Sequence, residues 1–596
     1  MPHNSRLRMF YVTSTRGRET LARAQVFKRS WPFFLDLAVA ALCLAAFFGV
    51  LKIAQFWASS AQPEFLVSLS PQSLPLYAFY SVVRIGLAYL LSLVFAIAYG
   101  YIAAYNQRAE ALMIAALDIL QSIPVLSFLP GVMLAMVALF PTRQLGVEMG
   151  AIVLIFTGQV WNMAFSFYSS LKSLPRELGE ASTIFGFSTW QRFWQLELPY
   201  GTIGLVWNSM ISVAGGWFFL MACEMFVLGD RDFRLPGLGS YLQTAASADN
   251  VPAMIYGIFT VIAIIVATDQ LLWRPIIAWS DKFKIEHSAS ADRINSPILH
   301  LIQHSNALSI IKRHTLTPIS ERIYHDVAER NREHRIQQAA GAIQARTTSA
   351  WPRIALLTAG GAVILYAAIS ALLKLREIDG TQYLQVLKGA GATFLRVNLS
   401  LLLASAWTIP AGVAIGFNPK LARIVQPIVQ VAASFPAPIL FPIIILGLLK
   451  AGGGLGIGSI ALMLLGTQWY ILFNVIAGAM AIPSDLREVS TLFRFTRWQR
   501  WKTVILPGIF PYLITGLVTA SGGAWNASII AEYFHLKGQT LHTLGLGAQI
   551  SAASDKGQFQ ILLLATIVMA LMVVTVNRIV WRPLYRLAET KYKLEG

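Results

Sequence analysis

The feature that most constrains the fold of this chain is an internal duplication. Residues 105–130 align without a gap on residues 417–442 at a shift of 312 positions. A second block aligns at a shift of 308 and contains these identical pairs: Glu180 and Glu488, Pro199 and Pro507, Trp217 and Trp525, Glu224 and Glu532, Trp273 and Trp581. Such long self-similarity indicates two copies of one structural module, which we expect to pack as a pseudo-twofold pair.

Apolar runs long enough to cross a bilayer recur in both copies. Examples are residues 33–51, 256–273 and 561–576, each close to or extendable to the roughly 20 residues that a spanning helix needs. The 596 residues are 56% hydrophobic and 13% charged, with a mean hydropathy of +0.58. We therefore predict an all-α integral membrane protein with two parallel six-helix modules. Because each module has an even number of spans, the pseudo-twofold axis should run along the membrane normal.

The polarity of the chain predicts four segments. These are a cytoplasmic N-terminal tail (1–30), a first transmembrane module (31–284), a cytoplasmic linker (285–350) and a second transmembrane module (351–596). The linker is basic and contains scattered histidines, so a tether and a metal site are both conceivable. No histidine pair there has the tight spacing of a ligand site, and no cysteine is near, so a tether is predicted and no metal site.

The distribution of basic residues predicts the orientation. With six spans per module, 35 of the 47 Lys and Arg residues fall on the side that holds both termini. Basic residues concentrate on the cytoplasmic side of membrane proteins, so both termini are expected in the cytoplasm of a multi-pass protein. The formal charge of +18 therefore reflects topology and contact with membrane lipid, and no nucleic-acid partner is predicted.

Each copy contains one charged, amphipathic segment between apolar runs, at residues 176–199 and 485–507. A proline precedes each segment, and Glu180 and Glu488 are expected near a helix start, where a carboxylate is favourable. Small residues follow each Glu, and Phe185, Phe187, Phe493 and Phe495 supply apolar contacts. The pattern suits a docking surface for another protein, although an amphipathic helix held at lipid headgroups has the same composition.

These segments resemble the E-A-A-x-x-x-G motif, followed by an aromatic residue and L-P, of binding-protein-dependent ABC importer permeases. The first copy has Glu180-Ala181-Ser182, Gly186, Phe193 and Leu198-Pro199. The S-x-P in the third span and the G-L-G turns at 237–239 and 545–547 are similar to the nitrate, sulfonate, taurine and bicarbonate branch. The second copy departs from the motif, because Val489 replaces Ala and Arg494 replaces Gly.

The resemblance implies that both segments are coupling helices that fit a groove on a cytoplasmic ABC ATPase dimer. The positions that correspond to the motif are Glu180, Ala181, Ser182, Gly186 and Phe187 in the first copy and Glu488, Val489, Ser490, Arg494 and Phe495 in the second. It further implies a bacterial cytoplasmic (inner) membrane location and a periplasmic or lipid-anchored solute-binding protein as partner.

The chain has no motif for nucleotide hydrolysis. No G-x-x-x-x-G-K-[ST] phosphate loop occurs, and the Gly-rich run at 451–459 has no Lys after its last Gly, so we expect it to be a loop between spans. The chain is therefore predicted to be a transport subunit, not an enzyme, and to bind no cofactor. ATP and Mg²⁺ are expected on the partner ATPase.

The third and fifth spans of each copy contain residues predicted near the bilayer midplane. Proline there frees a backbone carbonyl and bends the helix, which is tolerated beside a neighbouring helix or a water-lined cavity. We predict that these residues line the translocation path, with close helix packing as the open alternative: Ser122, Pro124, Gly216, Trp217, Ser434, Pro436, Trp525 and Asn526. Glu224 and Glu532 lie near the outer end of span five, where a buried carboxylate can be functional. A structural role is expected instead, in which they reach the interface or bond the G-L-G turns.

The resemblance implies inward transport of a small anionic solute, similar to nitrate, a sulfonate, taurine or bicarbonate, by alternating access driven by ATP on a partner. The alternative is a twelve-span ion-coupled secondary transporter of the major-facilitator type, which also has two parallel halves and a basic central loop. The turn YNQRAE at 105–110 lacks the G-x-x-x-D-R pattern of that family, and no acidic residue is predicted at the midplane.

Overall fold

The computed structural model describes residues 66–140, 143–228, 231–283, 375–450, 452–536 and 539–591, with five isolated positions at 298, 299, 318, 329 and 373. The predicted N-terminal tail (1–30), the apolar run 33–51 and almost all of the predicted linker (285–350) lie outside the described residues. The segment boundaries predicted there therefore stay predictions.

The two modules have the same order of elements. Module 1 contains α1 Leu74–Tyr105, α2 Gln107–Ser122, α3 Leu129–Leu139, α4 Arg143–Lys172, α5 Arg176–Ile184, α6 Thr189–Arg192, α7 Leu198–Glu224, β1 Val227–Leu228, β2 Arg231–Asp232, α8 Leu238–Ser247, α9 Val251–Thr268 and α10 Arg274–Ser280. Module 2 contains α11 Gly380–Gly416, α12 Pro419–Ser434, α13 Phe441–Lys450, α14 Leu455–Ala481, α15 Ser484–Leu492, α16 Arg497–Arg500, α17 Leu506–Ala531, β3 Tyr533–Leu536, β4 Gln539–His542, α18 Leu546–Asp555, α19 Phe559–Val576 and α20 Arg582–Lys591.

Eight helices in the described ranges are long and apolar enough to cross a membrane, four in each module. They are Pro71–Tyr105, Gln144–Lys172, Thr189–Glu224, Val251–Ser280, Gly380–Gly416, Leu455–Ala481, Arg497–Ala531 and Gln560–Ala588. The predicted all-α membrane architecture is confirmed, with the antiparallel hairpins β1–β2 and β3–β4 as the strands of the described part. The count of six spans per module stays a prediction, because the run 33–51 is not described.

Proline interrupts the third predicted span of each module. Helix α2 ends at Ser122, a 3₁₀ turn covers Val125–Phe128, and α3 begins at Leu129. Ile123 and Phe435, which precede Pro124 and Pro436, are extended, with ψ of 125° and 124°. Proline disfavours the helical conformation of the residue before it, so the helix stops completely where the sequence predicted only a bend.

The two modules contact each other reciprocally around these interruptions. The turn Val125–Phe128 contacts α17, and its counterpart Ala437–Leu440 contacts α7. Likewise α2 contacts α19, and α12 contacts α9. The Leu126 N–H donates to Asn526 Oδ1 at 3.4 Å, which links the first interruption to the other module. Each contact thus occurs twice, with the corresponding elements of the two modules exchanged. This is typical of a twofold arrangement, which is a pseudo-twofold one here because the two modules differ in sequence.

A buried ion-pair cluster joins the helices of module 1 where the strand hairpin follows α7, the end that we call the hairpin end. Arg84 Nε and Nη2 lie 2.6 and 2.7 Å from the two carboxylate oxygens of Glu148, and Nη1 lies 2.8 Å from Glu224 Oε1. Ser81 Oγ and the Gly239 N–H also donate to Glu224, at 2.6 and 2.7 Å. The cluster therefore holds α1, α4, α7 and the start of α8 together.

A glycine is required before each of the helices α8 and α18, because the carboxylate of Glu224 or Glu532 lies against its backbone. A Cβ on Gly237 would lie 2.3 Å from the Glu224 carboxylate, and one on Gly545 would lie 2.1 Å from Glu532. Since real Cβ atoms do not approach so closely, only glycine lets the turn pass over the carboxylate. The expectation that Glu224 and Glu532 bond the G-L-G turns is confirmed by these contacts and by the N–H groups of Gly239 and Gly547.

Module 2 has a weaker version of the cluster. Arg396 Nη1 lies 2.9 Å from Glu532 Oε1, and its remaining bonds go to the Leu544 carbonyl and to Thr543 Oγ1. The position equivalent to Glu148 is Gly456, so the second carboxylate is missing. The Arg396 side chain is 14% exposed, whereas that of Arg84 is 2% exposed.

Arg84→Gln should destabilise the protein more than Arg396→Gln does. The first substitution leaves two buried carboxylates without their cation, and removal of one partner from a buried ion pair costs about 3–5 kcal/mol. The second leaves one carboxylate, which keeps its bond from Thr393. The measurement is the midpoint of thermal unfolding of the purified chain in detergent, with the exposed Arg578→Gln as control. Equal losses for Arg84 and Arg396 would contradict this account.

Candidate functional site

The end of the helix bundle opposite the hairpins contains α5, α6, α15 and α16, and we call it the short-helix end. Helix α6 leads through a π-helical turn, Phe193–Glu197, directly into α7. The same arrangement, with the π turn Trp501–Ile505, joins α16 to α17. Continuous helices of 36 and 35 residues result, at Thr189–Glu224 and Arg497–Ala531. Each of these two continuous helices, which we call the rods, joins a short-helix segment to the hairpin end.

Capping boxes begin both rods. The Gln191 N–H donates to Ser188 Oγ, and the Ser188 N–H donates back to the Gln191 side chain at 2.9 Å. Thr496 and Gln499 make the same pair of bonds in module 2. A capping box satisfies two N–H groups that a helix start otherwise leaves free, so both rods have a defined first residue.

The turn after α5 and α15 requires a left-handed residue. The Phe187 N–H bonds the Ser182 carbonyl and the Gly186 N–H bonds the Thr183 carbonyl, which is a Schellman C-cap. Gly186 has φ of 69°, and its counterpart Arg494 adopts the same conformation with φ of 49°. The departure from the motif at Arg494 therefore leaves the backbone unchanged, at the conformational cost of a left-handed residue that has a Cβ.

The predicted coupling residues differ in exposure. Glu180, Glu488 and Val489 are exposed and Ala181 is half-buried, whereas Ser182 and Ser490 are buried. The expectation that both glutamates lie near a helix start is wrong. The prolines at 175 and 483 are the N-caps, so the helices begin at once and each Glu is the fifth residue, while Glu177 and Asp485 occupy the first turns.

The end of each short helix presents an apolar knob. Ile184 and Phe185 are 83% and 78% exposed, and Leu492 and Phe493 are 78% and 73% exposed. Phe187 and Phe495, which the sequence predicted as further knobs, are half-buried. Exposed aromatic and aliphatic side chains at a charged surface are typical of a contact site for another protein or for a membrane surface.

The two segments are anchored to their modules by different chemistry. In module 1 the Tyr105 hydroxyl donates to Glu197 Oε1 at 2.5 Å, and Arg192 Nε lies 2.7 Å from the same oxygen. In module 2 the counterparts are Phe417 and Ile505. There Arg487 lies over the Phe417 ring at 4.7 Å and donates to the Ile482 carbonyl at 2.8 Å. Sequence reasoning missed these anchors. A usable signal was Glu197, the carboxylate of the first segment that has no acidic counterpart in the second.

Two cavities, of about 230 and 250 Å³, lie between the modules. Of the predicted path residues, Pro436, Trp525 and Asn526 line the first cavity, and Trp217 and Ser434 line the second. Pro124 is buried beside the helix interruption, and Gly216 packs against the Gln159 amide. The side chain of Ser122 lies outside the described part of the chain.

The lining of both cavities is mostly apolar with neutral polar groups. Within the described residues no Lys or Arg lines either cavity, and the acidic lining residue is Asp269, whose Oδ2 lies 3.4 Å from Arg274 Nε. No group of three His, Cys, Asp or Glu in the same described ranges could hold a metal ion. The Gly-rich run at 451–459 is a loop only in part, because α14 begins at Leu455.

The duplicated bundle, its broken third spans and its paired short-helix segments define a multi-pass membrane transport component. The chain belongs to the family of binding-protein-dependent transport system inner membrane components, whose sequence profile matches it twice, at residues 96–272 and 408–582. The resemblance inferred from the sequence is therefore confirmed for both modules. The major-facilitator alternative receives no support.

Named relatives in this family transport different solutes. The nitrate import permease protein NrtB of Leptolyngbya laminosa is 28% identical over 189 residues, which are 32% of this chain and 64% of the relative. The bicarbonate transport system permease protein CmpB of Synechococcus elongatus is 28% identical over 24% of this chain and 49% of the relative. The taurine transport system permease protein TauC of Escherichia coli is 28% identical over 28% and 56%. The chain thus matches about half to just under two thirds of the length of each relative.

Substitutions at the left-handed position should have opposite effects in the two modules. Gly186→Ala should destabilise the chain by about 1 kcal/mol, and Arg494→Gly should stabilise it by a similar amount, because only glycine adopts this conformation without steric cost. Thermal unfolding of the purified chain in detergent measures both. Arg586→Gly, at an exposed arginine in the middle of α20, is the matched control and should destabilise. A destabilising Arg494→Gly would show that the Arg494 side chain makes a compensating contact.

Proposed function

We propose that this chain is the transmembrane permease subunit of an ATP-driven ABC importer, and that it moves a small anionic solute inward by alternating access. The observation that supports the proposal most directly is the pair of exposed apolar knobs, Ile184–Phe185 and Leu492–Phe493, at the base of two rods that border the cavities. Family membership supports the same reading.

The rods provide a mechanical route from a docked partner to the cavities. An ATPase dimer that closes on ATP would move α5 and α15, and the capping boxes and π turns would transmit this movement to α7 and α17. Trp217 and Trp525 lie on those rods and line the cavities. Rigid-body movement of the rods would then change which end of the cavity is open.

The partners and the orientation follow from this assignment. The short-helix end would face the cytoplasm, in agreement with the bias of Lys and Arg, and the hairpin end would face a periplasmic or lipid-anchored solute-binding protein. ATP and Mg²⁺ would be bound by the ATPase, since the chain contains no phosphate loop. The location would be the bacterial cytoplasmic (inner) membrane, with both termini in the cytoplasm.

The cavities favour a small solute that is held loosely. Their volumes are below the roughly 300–1,000 Å³ typical of pockets for drug-sized ligands. Neutral donors can bond the oxygens of an anion without the strong attraction of a fixed cation, and conduction requires a site that the solute can leave. Relatives named for nitrate, bicarbonate and taurine suggest a small oxyanion or sulfonate. Selection among these would then depend mainly on the solute-binding protein.

Removal of both knobs should uncouple transport. The test reconstitutes the full chain in proteoliposomes with its ATPase and solute-binding protein and measures ATP-dependent uptake of labelled nitrate, bicarbonate and taurine. The double variant Phe185→Ala with Phe493→Ala should lose more than about tenfold of the uptake rate, because aromatic anchors at protein interfaces are each worth about 2 kcal/mol or more. Phe259→Ala, at a similarly exposed Phe of α9, should keep the wild-type rate.

Two results would contradict the proposed function. One is undiminished uptake by the double variant. The other is uptake by the wild-type chain that needs no ATP but is abolished by a protonophore, since that behaviour belongs to an ion-coupled transporter. Retained uptake in Phe259→Ala together with loss in the double variant would support it.

A further inference from the structure

The two cavities between the modules are counterparts of each other under the internal duplication. Trp217, Trp273 and Trp469 line the second cavity. Their equivalents at the 308-residue shift, Trp525, Trp581 and Trp161, line the first. Because the pseudo-twofold operation exchanges the cavities, any wall that both cavities share must lie at the pseudo-twofold axis.

Six residues form this shared wall. They are Asn162, Ile211, Ala214, Ala433, Tyr470 and Thr519. Four of the six are two complete duplicate pairs, because Asn162 corresponds to Tyr470 and Ile211 corresponds to Thr519. The duplication thus places both members of each pair at the axis, and the members of each pair are chemically different.

The polar ends of the first pair are free to bind a ligand. In the part of the chain that the structure describes, neither the Asn162 amide nor the Tyr470 hydroxyl makes a hydrogen bond to protein, although each residue faces both cavities. The Tyr470 hydroxyl points across the interface to Gly215 of module 1, where a Cβ would lie 3.9 Å away. Glycine there leaves room beside the hydroxyl.

The second pair gives the wall one polar and one apolar side. Thr519 Oγ1 donates its proton to the Thr515 carbonyl at 2.9 Å, so towards the cavities it can only accept a hydrogen bond. Ile211 at the equivalent position offers no polar group. The donors available at the axis are therefore the Tyr470 O–H and the Asn162 NH₂.

We propose that Asn162 and Tyr470 form an asymmetric solute-binding site on the pseudo-twofold axis that holds the solute inside the path. This inference rests on the proposed function and names the contact that the solute makes inside the path. The ligand class is a small anion with oxygen acceptors, which the phenol and the amide bond from opposite modules while Ile211 covers one side. Because the two side chains at the axis differ chemically, they would bind one solute in one orientation.

Tyr470→Phe tests the site because it removes only the hydroxyl. In the reconstituted transporter, the KM for uptake of the labelled anion should rise about tenfold, since a hydrogen bond to a charged group contributes about 1.5–3 kcal/mol. ATP hydrolysis should remain coupled to uptake. Tyr256→Phe, at an exposed tyrosine of α9 outside both cavities, is the matched control and should leave the KM unchanged.

The outcomes separate this inference from the proposed function. If the wild-type complex imports none of nitrate, bicarbonate and taurine in an ATP-dependent way, the proposed function fails and this site loses its basis. If the wild type imports one of them and Tyr470→Phe imports it with an unchanged KM, the site is wrong while the proposed function stands. A KM that is raised in Tyr470→Phe and unchanged in Tyr256→Phe supports the site.

Thiol labelling of the full chain in lipid nanodiscs tests the site without any partner. With Cys43 and Cys223 replaced by Ala, a Cys introduced beside the site as Ala214→Cys or Ala433→Cys should react with an anionic methanethiosulfonate reagent. Nitrate, bicarbonate or taurine should slow the reaction at least about threefold by occupying the site. Leu402→Cys, at an exposed leucine of α11, is the control for lipid-facing positions and should not react. Unreactive cysteines at 214 and 433, or no protection by any of the three solutes, would overturn the proposal.

Discussion

The structure depends on the rule that a backbone polar group in an apolar membrane must find a partner inside the protein. Pro124 and Pro436 stop the third spans and free groups that α-helix would have satisfied. The Leu126 N–H after the first interruption is met by Asn526 of the other module, and Thr566 Oγ1 donates to the Ser127 carbonyl at 3.3 Å. The breaks, the contact between the modules and the cavities beside that contact are consequences of one constraint.

The two modules share a backbone and differ in the side chains that hold their helices together. The buried Arg84 has two carboxylates where Arg396 has one, and Tyr105 bonds a carboxylate where Phe417 packs against an arginine. Even the left-handed turn is kept when Arg494 replaces glycine. Fusion of two copies in one chain permits this, because each copy can change without changing its counterpart.

Much of the architecture was predictable from local sequence. The apolar runs predicted the spans, the prolines predicted a bend where each third span in fact stops, and the short segment before Pro199 was correctly placed at the base of a span. The errors came from local geometry, since Pro175 starts its helix one turn before Glu180. The ion partner of Arg84 was not predictable, because Glu148 lies 64 residues away on another helix and no residue pattern links them.

The sequence by itself determined what depends on neighbouring residues and on repetition: spanning helices, their proline breaks, the two modules and their family. Only the tertiary structure decided which distant side chains meet, because that depends on how helices pack. It paired Arg84 with Glu148 and Glu224, placed five of the eight predicted path residues in two cavities, and brought Asn162 and its duplicate Tyr470 to the wall that both cavities share. The internal duplication identifies which residues are counterparts, but only the packing of the helices decides which of them share a site.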